Sequence, residues 1–142
     1  MRKSTYFLVA ILLMVVFATT DAHAHHNVKV CKSSPLPHKV CALVRTEARA
    51  AGVPVRWSHS QQLATLLKHE SGYRFGAQNP TSTAYGLFQF LSSTWASVGC
   101  RYGVHVAQPA YQVRCGLRYV RQRYGTPARA LAFWLRQSPH WY

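Results

Sequence analysis

The chain has 142 residues, enough for one domain and not comfortably for two, and carries 17 lysines and arginines against three acidic side chains, a formal net charge of +14. The acids are Asp21, Glu47 and Glu70. So few carboxylates exclude calcium loops of the EF-hand type and carboxylate-rich two-metal centres.

Arg2 and Lys3 precede a run of 13 apolar or aromatic residues, Tyr6 to Ala18, and Ala22-His23-Ala24 follows as a small-x-small cleavage site. This is the pattern of a secretory signal peptide over residues 1–24, too short in its apolar part to span a bilayer comfortably. Its removal takes Asp21, Arg2 and Lys3 and leaves 15 basic and two acidic side chains, a net +13 with neutral histidines. With Asp21 gone, a Ser-His-Asp triad is excluded. An exported, strongly basic chain, periplasmic or secreted, suits anionic wall polymers, lipopolysaccharide or anionic membrane ahead of nucleic acid. Cys31, Cys41, Cys100 and Cys115 then read as two disulfides. Chain order favours Cys31–Cys41 and Cys100–Cys115 among three connectivities. Without a C-x-x-C pair, a zinc site is not expected.

Residues 25–37 read as an irregular arm held by Cys31, and residues 38–142 as the folded domain. His23, His25 and His26 flank the cleavage site; no copper site is expected without a matching partner. Val40, Leu43, Val44, Ala48 and Ala51 mark a helix stopped by Gly52. Ser58 or Ser60 can cap the next helix. On it Leu63, Leu66, Leu67 and Glu70 fall at i, i+3, i+4 and i+7, three leucines and then a carboxylate on one face, with Gly72 directly after. A carboxylate closing an apolar stripe beside a loop is a candidate site. Glu47 sits mid-helix between Arg45 and Arg49, where a surface or supporting role is expected.

Residues 71–84 form a loop with Gly72, Gly76 and Asn79-Pro80, and Tyr85 to Phe90 an aromatic segment that a short strand could use. Ser92-Ser93-Thr94 reads as a cap for helical turns around Trp95. After a loop over residues 99–108, Pro109 to Tyr124 is the clearest helix. Ala110, Val113, Leu117, Val120 and Tyr124 form its apolar stripe, and Arg114, Arg118 and Arg121 a basic one, expected to be a solvated face or a contact for an anionic polymer. Gly125 stops it, Thr126 caps the last helix with Pro127 at its first position, and Ala130, Leu131 and Trp134 make that helix's core face. The fold class expected is mostly α, with little or no sheet.

Glu70-Ser71-Gly72, Asn79-Pro80, Ala84-Tyr85-Gly86-Leu87-Phe88-Gln89-Phe90 and Ser93-Thr94-Trp95 together resemble the soluble lytic transglycosylases of the lysozyme superfamily. Gly116-Leu117-Arg118-Tyr119, Arg123-Tyr124-Gly125, Ala130 to Trp134 and Trp141-Tyr142 fit a small variant of that family. The resemblance extends over about residues 38–142 and implies a compact lysozyme-like helical domain. It implies cleavage of the β-1,4 bond between N-acetylmuramic acid and N-acetylglucosamine in peptidoglycan, with a 1,6-anhydro product and no metal or other cofactor. Glu70 would be acid and then base, with apolar walls expected from Leu66, Leu67, Phe88 and Phe90. Gln89 and Asn79 would line the sugar groove, Ser82 or Thr83 would lie near the acetamido group, and Tyr85 and Trp134 could stack on sugar rings. The Tyr-Asn-Ala-Gly signature of many members is absent; Phe133-Trp134-Leu135 stands near its place. Peptidoglycan glycan strands are the implied partner, with anionic wall polymers or envelope machinery besides, no specific nucleic acid, and a monomeric state. The competing readings are a muramidase that uses water on the same bond and a non-catalytic cationic wall-binding protein.

Overall fold

The computed structural model describes residues 30–103 and 105–137. The signal peptide, residues 25–29 of the arm, its histidines and the closing Trp141-Tyr142 lie outside the described residues. A 3-10 turn, Cys31–Ser33, leads into α1, His38–Ala51. A second 3-10 turn, Val55–His59, precedes α2, Gln61–Ser71. After the long loop come the short α3, Ser92–Ser97, then α4, Pro109–Tyr119, and α5, Pro127–Arg136. No sheet forms among the described residues: Tyr85 makes only isolated bridges to Gln78 and Phe90, so the Tyr85–Phe90 segment is a set of tight turns and no strand. No helix among them is long and apolar enough to cross a membrane.

The helix ends follow local chemistry. Ser60 accepts from the Leu63 amide at 3.1 Å and caps α2, while Ser58 is buried and bonded to the Val55 carbonyl. Thr126 caps α5 by accepting from the Arg129 amide. Gly52 and Gly72, at φ of 70° and 58°, take the left-handed conformation that closes α1 and α2. The start of α3 differs from the sequence reading. Ser92, Ser93 and Thr94 lie inside that helix, and the Thr83 hydroxyl, reaching across from the loop, accepts from the Ser92 amide at 3.1 Å.

The apolar stripes of α1, α2 and α4 meet in one core that also takes Leu87, Phe88, Phe90 and Trp95. Gln112 of α4 is the polar centre of this core and is fully buried. Its Oε1 accepts from the Leu87 amide at 2.8 Å, and its Nε2 donates to the Phe75 and Val106 carbonyls. One side chain thereby ties both long loops to α4 and leaves no buried amide atom of its own unpaired. Gly86 is required there, because a Cβ would collide with the Gln112 amide, and Gly116 because a Cβ would enter the Phe88 ring.

α4 departs from a regular helix in its last turn, Val120–Tyr124, which is π-helical. Its basic stripe stays partly solvated but is turned toward α1. Arg114 donates to Glu47 at 2.7 Å, Arg118 to the Ala50 carbonyl at 3.1 Å, and the Arg121 guanidinium lies over Gly52. All three meet the last turns of α1, where the helix dipole and open carbonyls favour cations. Glu47 is accordingly buried and paired rather than a surface glutamate. The cysteines pair as Cys31–Cys41 and Cys100–Cys115, fastening the first turn to α1 and the loop after α3 to α4.

Candidate functional site

Helix α2 delivers Glu70 to a cleft of about 800 Å³ between its C-terminal end, the loop, the start of α3 and α5. Leu63, Leu66 and Leu67 anchor the helix with no exposed surface, and Glu70, one turn further on, comes out half-buried at the cleft wall. Ser71 fixes where that wall stands relative to the opposite one. Its buried hydroxyl donates to the Leu87 carbonyl at 2.8 Å, two residues before Gln89. Arg74 turns back and donates from Nε to the Ser71 carbonyl, and neither it nor the exposed Lys68 lines the cleft.

Of the residues singled out in the sequence, Glu70, Asn79, Ser82, Gln89 and Trp134 line the cleft. Gln89 does so from a left-handed backbone, φ 52°, unusual outside glycine. Its Nε2 donates to the Ala77 and Gly86 carbonyls at 3.0 and 2.9 Å, so the side-chain oxygen is the atom left for a ligand. Asn79 and Ser82 also build the loop: Asn79 Oδ1 accepts from the amide and hydroxyl of Thr81, and Ser82 Oγ from the Ala84 amide.

Thr83 and Tyr85 are not part of the lining. Thr83 holds α3, as described, and Tyr85 packs half-buried against the core while its backbone makes the two bridges. Trp134 is buried at 8% exposure, and His69 stacks on it with ring centroids 4.5 Å apart and planes at 25°. His69, the exposed member of this stacked pair, neighbours Glu70 and also lines the cleft. His69, Thr81, Ala84, Leu91 and Thr94 complete the lining and were not singled out in the sequence. His69 lay just off the leucine stripe, and only the arrival of α5 gives it a partner.

The apolar walls also differ from expectation. Leu66, Leu67, Phe88 and Phe90 are all core residues behind the site, and Ala84, Leu91 and Trp134 supply the apolar surface of the cleft itself. Glu47 does not line it. Among the described residues no group of three or more histidine, cysteine or acidic side chains could hold a metal ion.

A cleft with one glutamate at the end of a buried helix, an amide oxygen opposite and a polar turn along the rim suits a neutral, hydroxyl-rich ligand. No solved structure matches the chain. The family model described as the transglycosylase SLT domain matches residues 55–135. This span holds every residue that lines the cleft and more than half of the sequence, and the chain belongs to the transglycosylase SLT domain family.

Proposed function

We propose that the protein is a lytic transglycosylase that cleaves the bond between N-acetylmuramic acid and N-acetylglucosamine in peptidoglycan, with Glu70 as its single acid and base. The observation that carries this reading is Glu70 in the cleft with no second acidic side chain in the lining, Glu47 being held by Arg114. Inverting or retaining hydrolysis of the usual kind needs two carboxylates flanking the bond. One carboxyl group suffices when the substrate supplies the rest. Glu70 protonates the glycosidic oxygen as the C1–O4 bond breaks, and the 2-acetamido group stabilises the cationic C1. The 6-hydroxyl oxygen then bonds to C1 while its proton passes to Glu70, which returns the catalyst to its starting form without consuming water. Gln89, Asn79 and Ser82 hold the sugars, and His69, backed by Trp134, offers the stacking face.

Purified wall digested with the enzyme, followed by mass spectrometry of the fragments, reads bond and product together. The expected products end in 1,6-anhydro-N-acetylmuramic acid, and Glu70→Gln lowers their release at least about a hundredfold while the fold is kept. Reducing ends in place of anhydro ends would make the protein a muramidase. Undiminished lysis by Glu70→Gln would remove Glu70 from the mechanism. Wall binding without cleavage by the unaltered protein would leave a cationic wall-binding protein.

A further inference from the structure

A second, shallower cavity of about 390 Å³ adjoins the cleft. Ser93, Thr94 and Ser97 of α3 line one side, and Tyr119, Gln122 and Arg123 of α4 and its last turn line the other. Thr94 lines both cavities, so the annex is the immediate neighbour of the cleft. Tyr119, Gln122 and Arg123 face the annex together. Arg114, Arg118 and Arg121 turn the other way, to α1. Gln122 and Arg123 sit in the π-helical turn, a rare departure that recurs at binding sites because it re-aims side chains.

The chemistry of the annex is that of an anion acceptor. Ser97 Oγ already donates to the Thr94 carbonyl at 2.7 Å. The remaining donors are the Arg123 guanidinium, which also lies against the Tyr124 hydroxyl, the Gln122 amide and the Ser93 and Thr94 hydroxyls, and no acidic side chain lines the cavity. A planar guanidinium among neutral donors matches a carboxylate. We propose that the annex receives a carboxylate of the peptide substituent carried by the glycan strand, making Arg123 a determinant of substrate choice. The proposal rests on the reading that a peptidoglycan strand occupies the cleft; the peptides branch from alternate sugars of such a strand, and a strand running past Thr94 brings one to Arg123.

The test measures binding of soluble, peptide-bearing glycan strands to the Glu70→Gln protein, which holds strands without cutting them. A second sample of the same strands has its peptide carboxylates converted to methyl amides. Capping is expected to raise Kd about three- to tenfold, the range for a half-exposed charge-assisted contact. Arg123→Gln in the same background is expected to raise Kd for uncapped strands by that factor and to respond less than twofold to capping. Arg56→Ala removes another exposed charge, far along the chain, and is expected to keep the full capping effect. Equal Kd for capped and uncapped strands, a capping effect that survives Arg123→Gln, or an equal loss in Arg56→Ala would overturn the proposal. Cutting of the strands by Glu70→Gln would instead overturn the catalytic assignment, which is a separate readout.

Discussion

At the scale of single residues, the site depends on distances fixed by side chains that touch no ligand. Ser71 follows Glu70 and bonds to the carbonyl two residues before Gln89, so it sets the spacing between the two walls. Ser71→Ala removes a buried hydrogen bond and leaves the Leu87 carbonyl without its hydroxyl donor. The expected cost is about 1–3 kcal/mol, seen as a fall in Tm of several degrees, with a loss of wall digestion at temperatures where the variant is still folded. Glu70 was legible in the sequence because it closes an apolar stripe directly beside a loop, whereas Glu47, also near a stripe, sits mid-helix. Gln89 rested on resemblance, since nothing in a one-dimensional pattern announces a left-handed backbone. His69 was not singled out, and Thr83 was expected near the acetamido group but holds α3; the two share a reason. The first gains its meaning from Trp134 and the second from Ser92, and neither pairing has a local spacing.

At the scale of elements, the helices and their caps were readable to within a residue or two, because capping and periodicity are local properties. The direction of the arginine stripe on α4 was not, since solvated and helix-capping faces look alike until the neighbouring helix is placed. That placement yields a prediction. Glu47→Gln breaks the pair with Arg114, which is 40% exposed and so partly solvated already. A loss of about 1–2 kcal/mol is expected in denaturant unfolding, less than for a fully buried pair. Wall digestion by the folded variant should continue, and its abolition would point to a two-carboxylate mechanism. The π-helical turn was likewise absent from the sequence reading, because its residues satisfy an ordinary helical pattern.

At the scale of the whole molecule, two cross-links and one buried amide hold loops to helices. Replacing both Cys100 and Cys115 by serine frees a segment whose ends are 15 residues apart. The expected loss is about 3 kcal/mol, measured as a drop in Tm, and reducing agent, which opens Cys31–Cys41 as well, lowers the Tm of the unaltered protein further. Cysteine order made the pairing the favoured one of three, and the structure supplies the pairing itself. The general plan, mostly helical with one acid in a polar cleft, was legible because composition leaves few alternatives. Helix α1 carries the last consequence. The family match begins at Val55, after this helix, yet Val40, Val44, Ala48 and Ala51 are part of the one core and its final turns receive three arginines of α4. The portion matched by the family model and the portion that packs as one core are therefore different lengths of chain. A fragment cut at the family boundary would have an open side, bare arginines facing the gap and apolar residues turned to water. The preceding helix packs into the same core as the matched span, and none of its residues lines the cleft.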